Sequence, residues 1–167
     1  MFRDTAGHVL FADPATLEDR ADVLVYTSTP FAEQTEVTGP VKLTLYAATS
    51  AVDTDFFCRL SDMDADGHSL QLTNGIVRAR FRHGRTPEPV TPGEIVEYEI
   101  DLGAIAYAFP AGHRIRIDLS SSSFPAHDRN LNTGERIGHG TYSVKADQMI
   151  YHDAQHPSHL LLPVIPE

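Results

Sequence analysis

The chain has 167 residues, 41% hydrophobic, 8% aromatic and 22% charged, which suits one packed domain and excludes wholesale disorder. Thirteen Lys+Arg against 23 Asp+Glu leave a net charge of −10, so phosphate backbones and anionic bilayers are poor partners, and neither nucleic acid nor membrane is expected. Eleven glycines and eleven prolines favour turns over long helices, and no apolar run approaches the roughly 18–20 residues of a membrane helix.

Residues 1–20 mix charges with small side chains and read as an irregular lead-in; residues 21–167 read as one domain. Val23–Thr27 is the first β-rich run, ended by Pro30. After Gly39-Pro40, Val41, Leu43, Leu45 and Ala47 alternate with Lys42, Thr44 and Tyr46, which predicts one apolar and one polar face. Phe56, Cys58 and Leu60 share a face opposite Phe57 and Arg59. From Gly75, Val77, Ala79 and Phe81 are predicted to point inward, with Arg78, Arg80 and Arg82 outward. Two Pro/Gly-rich turns follow, Thr86–Pro89 and Thr91–Gly93. Val96, Tyr98, Ile100 and Leu102 alternate with Glu97, Glu99 and Asp101; Ile115, Ile117 and Leu119 alternate with Arg114, Arg116 and Asp118. Tyr142–Tyr151 and His159–Ile165 are weaker candidates, and only Ala104–Phe109 and residues 14–22 suit short helices. Some six to nine short strands between Gly/Pro turns predict an all-β sandwich or barrel.

Cys58 is the only cysteine, so an internal disulfide and a cysteine-based zinc cluster are both excluded. A lone thiol and the missing basic–apolar leader lean slightly towards the cytoplasm, although a fragment lacks a leader whatever its compartment.

Several constellations imitate chemical sites. Asp62, Asp64 and Asp66 before Gly67 match the first half of a calcium loop. The twelfth position is Thr73 where a bidentate glutamate belongs, so a plain Asp-Gly turn is expected. His152, His156 and His159 have helical spacing, but Pro157 breaks the helix and no cysteine or carboxylate set completes a zinc site. No metal or cofactor is expected. Ser120–Ser123 beside His127 and Asp128 supplies the residue types of a nucleophilic triad, yet no Gly-x-Ser-x-Gly elbow occurs. The arginines at 78, 80 and 82, joined by Arg85, suit salt bridges to a partner domain or to an acidic neighbouring strand, with Glu97, Glu99 and Asp101 as candidates for that strand.

The ordered segments Asp22–Tyr26, Val37–Val41, Asp53–Phe56, Asn74–Arg82, Gly112–Ile117, Ser121–Pro125, Asp128–Gly134 and His156–Leu160 together resemble the C-terminal domain of X-Pro dipeptidyl-peptidases and cocaine-esterase-like (CocE/NonD) acyl hydrolases. That resemblance implies a jelly-roll β-sandwich of the galactose-binding-like type. It also implies a parent bearing an α/β-hydrolase domain with a Ser-His-Asp triad, against which the jelly roll packs. No catalytic residue transfers to this chain, because the elbow is missing. The expected role is therefore a non-catalytic domain that supports a hydrolase domain lying outside this chain. Residues 120–134 are the expected docking surface, with Phe124, Pro125, Arg129, Asn130 and Asn132 as its candidate residues. Two alternatives stand beside it: a stand-alone carbohydrate-binding module, which the lack of tryptophan disfavours, and a free-standing hydrolase using the Ser120–Ser123 loop.

Overall fold

Alternating apolar residues need a second apolar face to cover them, and two antiparallel sheets meet that need. The computed structural model describes residues 20–166 together with the backbone of Phe2–Arg3 and Val9–Leu10. Phe2–Arg3 (β1) pairs antiparallel with Val9–Leu10 (β2). In the first large sheet, Thr35–Thr49 (β4) pairs along one side with Val96–Phe109 (β7). Its other side is shared by Gln148–Tyr151 (β9) and His159–Leu161 (β10). The second sheet runs in the order Leu24–Thr27 (β3), Arg114–Ser120 (β8), Asp55–Met63 (β5), Ser69–Arg78 (β6). Every pairing is antiparallel.

The core lies between these sheets. β4 contributes Val41, Leu43, Leu45 and Ala47, β7 contributes Tyr98, Ile100 and Leu102, and β5 contributes Phe56, Cys58 and Leu60, all buried. The Phe56 and Tyr98 rings meet across it at 4.9 Å. Burying such side chains is worth about 1.5–3 kcal/mol each, which is the main force holding the sheets together.

Three expectations need correction. Ala104–Phe109 is not a helix but the second half of β7, paired with Thr35–Pro40. The inward side chains change parity at Gly103, where the register slips between Pro40 and Lys42 and φ is +78°. An extra residue in a bulge masks the strand period. The arginine alternation also fails: β6 ends at Arg78, and Ala79–Phe81 form a 3₁₀ turn that carries Arg80 inward. Arg80 is buried, while Val77, Phe81, Ile115 and Ile117 are only half-buried. The acids of β7 do not pair with these arginines. Glu97 accepts from the Tyr46 hydroxyl, Glu99 pairs with Lys42 at 2.9 Å, and Asp101 accepts the Gly103 N–H.

Of the weaker strand candidates, only Gln148–Tyr151 and His159–Leu161 are strands, with an isolated bridge from Val164 to Val37. The helix expected at 14–22 falls mostly outside the described residues.

The sandwich closes along β6 and β7. The Thr73 hydroxyl donates to the Leu102 carbonyl. Gly75 lies so close to β7 that a Cβ there would sit 2.2 Å from the Asp101 carbonyl oxygen. Backbone atoms cannot move aside cheaply, so Gly75→Ala should lower unfolding free energy by about 1–3 kcal/mol in urea melts. An unchanged midpoint would contradict that contact.

Candidate functional site

Four charges cluster at one end of the sandwich, Asp53, Asp55 and Arg80 buried and Arg78 half-buried. Asp53 and Asp55 lie at the entry to β5, Arg78 ends β6, and Arg80 sits in the 3₁₀ turn. Arg78 grips Asp55 with both arms, Nε to Oδ1 at 2.7 Å and Nη2 to Oδ2 at 2.9 Å. Such a two-point grip matches the planar geometries of guanidinium and carboxylate. Asp53 Oδ1 accepts the backbone N–H of Arg80 at 3.0 Å, while Arg80 Nε stands 3.3 Å from Oδ2. That Nε makes no aligned hydrogen bond, so its contact with Asp53 is ionic only. Burial pushes the Asp53 carboxyl above the usual carboxylate range, against the bonds from Arg80 and Asn130 and the Arg80 charge.

This network seizes the long connection between β8 and β9. The Asn130 side chain donates to Asp53 at 3.0 Å and to Asp55 at 2.7 Å. Arg80 Nη1 donates to the carbonyls of Gly134 and Glu135 at 2.5 and 2.6 Å. Asn130 Oδ1 in turn accepts the Asn132 N–H, and the Asn132 side chain donates to the Val144 carbonyl at 2.8 Å. Asn132 adopts a φ of 61°, a conformation asparagine tolerates better than most side chains.

The docking candidates therefore divide. Asn130 and Asn132 turn inward and hold the loop. Phe124 is 66% exposed, Pro125 and Arg129 are exposed, and Arg129 has no hydrogen-bond or ion-pair partner among the described residues. A small cavity of about 170 Å³ lies under Arg129, beside Arg136 and Thr133.

The chemical look-alikes are each spent on local structure. Asp62 is buried, accepts the Tyr107 hydroxyl at 2.7 Å and holds His113 Nδ1 at 2.9 Å, so it does not face the turn that follows it. Burial and that bond push the Tyr107 hydroxyl up to about 12. Asp64 accepts the N–H groups of Asp66 and His68, the bonds of a turn, and the His68 N–H is the main cause of its lowered pKa. The carboxylates of Asp64 and Asp66 and the His68 imidazole do cluster on this exposed turn. His152 meets the Tyr26 ring, His156 pairs with Asp153, and His159 donates to the Pro157 carbonyl. Their imidazoles form no common ligand set among the described residues. The Ser120 hydroxyl donates to the Ser122 carbonyl, and the His127 ring lies against Phe57. No serine hydroxyl bonds the His127 imidazole among the described residues. Cys58 is buried, and burial, with Asp118 adding to it, raises its thiol to about 12.

Sequence reasoning missed the inward turn of Arg80 and the roles of Asp53 and Asp55. A signal was present: two carboxylates spaced for one strand face, ahead of a strand ending in arginines.

Two measurements check this account. Arg80→Leu leaves Asp53 buried without its cation and should cost about 3–5 kcal/mol at neutral pH. Losing the cation raises the Asp53 carboxyl further, so the native state binds a proton that the unfolded chain releases. The deficit should therefore shrink as pH falls from 7 towards 5; a deficit that grows on acidification would reverse the assignment. Thermal melts with chelator, or with added calcium, should coincide with the untreated melt, because Asp64 already spends its oxygens on the turn.

Comparison with known proteins places these features in a family. Residues 3–161 match the X-Pro dipeptidyl-peptidase C-terminal non-catalytic domain. Cocaine esterase of Rhodococcus sp. (strain MB1 Bresler) is 42% identical over 157 residues, 92% of this chain and 27% of that protein. An aminopeptidase from a marine-sediment Thaumarchaeota archaeon superposes with a TM-score of 0.87 at 29% identity, and an α-amino acid ester hydrolase with 0.85 at 28%. In both, the chain is covered to 92% and accounts for 27% of the larger protein. Among the described residues no helix is long and apolar enough to cross a membrane. The chain spans about a quarter of the length of these relatives, and it belongs to the family of X-Pro dipeptidyl-peptidase C-terminal non-catalytic domains.

Proposed function

We propose that this chain supports the catalytic part of a larger serine acyl hydrolase, one that cleaves an ester or amide, without performing the chemistry itself. Its partner is an α/β-hydrolase domain of the same parent polypeptide, and residues 120–134 face that domain. The observation that carries this reading is the division of the β8–β9 connection. Its inward side chains are fixed by buried charges, while Phe124 and Arg129 are left facing out and unpaired. A rigid loop offering one large apolar ring and one guanidinium has the composition of an interface anchor. The cocaine esterase and α-amino acid ester hydrolase relatives, both about four times the length of the matched region, support it further.

Acyl transfer needs a nucleophile activated by a base and donors aimed at the developing oxyanion. Here the Ser120 hydroxyl is bonded to a carbonyl instead. The purified chain should give no saturable turnover of p-nitrophenyl acetate. In the full-length parent, Phe124→Ala should weaken domain association by about 1–3 kcal/mol and speed heat inactivation. Turnover by the chain alone, abolished by an alanine at one of Ser120–Ser123, would overturn the reading.

A further inference from the structure

Among the described residues the sandwich is closed along β6 and β7 but open on its other side. There β3, the edge of one sheet, faces β9 and β10 across a groove of about 300 Å³. Its floor is the core itself: Leu43, Leu45 and Leu119. Tyr26, His152 and His159 stand around its mouth, with the Tyr26 and His152 rings 6.1 Å apart. We propose that this groove receives an apolar segment of the hydrolase part of the same parent polypeptide, as a second contact beside residues 120–134. The inference rests on the supporting role proposed above.

Four observations select that occupant. The lining contains no Asp, Glu, Lys or Arg, although the chain carries 23 acids, so the groove is matched to an uncharged apolar surface. Two of the polar groups at its mouth are already used. Ser158 Oγ accepts the Tyr46 N–H and donates to the Tyr151 carbonyl, and His159 Nδ1 donates to the Pro157 carbonyl. Apart from Tyr26, Ser158 and the two histidines the lining is aliphatic, a surface that apolar side chains match without hydrogen bonds. On the bordering strand β3, Leu24 shares a face with Tyr26 and is 46% exposed, which enlarges the apolar surface at that lip. Finally, the chain covers 27% of the length of its cocaine esterase relative, and the connection that carries the proposed docking residues leaves β8 just after Leu119, which lines the groove, and re-enters the fold at β9, which borders it. The groove therefore adjoins both ends of the connection that carries the docking residues.

Hydrogen exchange compares the chain alone with the full-length parent. Amides of Leu24–Thr27 and of residues 158–161 should exchange about tenfold or more slowly in the parent, with residues 120–134 also slowed. Ile150→Trp, which fills the groove, and Tyr26→Glu, which charges its exposed lip, should each remove the strand protection and speed heat inactivation of the parent. Protection confined to 120–134 would overturn the groove assignment and leave the supporting role standing. No protection in either place would sink both. Saturable binding of indole to the parent, lost in Ile150→Trp, would make the groove a small-molecule site. A dimer of the chain in sedimentation, dissociated by Tyr26→Glu, would give it to a second copy. Either result defeats the proposal.

Discussion

Two carboxylates and two guanidiniums share a buried corner of this domain, and the shape of its largest loop depends on them. Removing charges from water costs several kcal/mol per ion, so such a cluster survives only if nearly every polar atom finds a partner. Here the two-point grip of Arg78 on Asp55, the Arg80 N–H on Asp53 and the shared Asn130 side chain meet that condition. The return is conformational definition more than net stability. The connection between β8 and β9 has no regular secondary structure before Gln148 and few buried apolar residues. Its path is set instead by bonds from Asn130, Asn132 and Arg80 to fixed partners. Hydrophobic burial, being non-directional, does not supply that kind of definition.

The sandwich is asymmetric in a way that suits a part of a larger protein. On the β6–β7 side, Gly75 lets two backbones approach within contact distance and Thr73 bonds across. On the β3–β10 side, core leucines line an open groove. A solitary domain gains by covering such surface, because exposed apolar area is unfavourable in water. Membership in a family of C-terminal non-catalytic domains, and relatives of which this chain covers about a quarter, give this asymmetry a context.

Several buried groups resemble catalytic machinery while doing structural work. Asp62 orients His113 as a triad carboxylate orients its imidazole, but its other partner is the Tyr107 phenol. Arg59 and Asp118 pair across neighbouring strands, with both side chains almost fully buried. Cys58 is embedded in the core, where its raised pKa keeps the thiol protonated and unreactive. Buried polar groups need partners in any fold, so perturbed titration alone does not mark a reaction centre.

Strand alternation in β4 and in the first half of β7 is legible in the sequence, because a period of two assigns Leu43, Leu45, Tyr98 and Ile100 to one face irrespective of what covers it. The ordered motifs likewise identify the family, since their succession and spacing along the chain are specific where each piece alone is weak. Alternation misleads where local geometry breaks the period: at the Gly103 bulge and at the 3₁₀ turn that reverses Arg80. Outward Phe124 and Arg129 cannot be told from inward Asn130 and Asn132 by residue type, because all four suit an exposed loop. Only the tertiary structure separates them, by bringing Asp53 and Asp55 from one strand entry and Arg78 and Arg80 from another strand's end to the same loop. Sequence periodicity records which face a side chain takes within its own element. Partnership between residues 53, 80 and 130 is decided by how β8, β5 and β6 pair side by side in one sheet, a long-range outcome that no local pattern encodes.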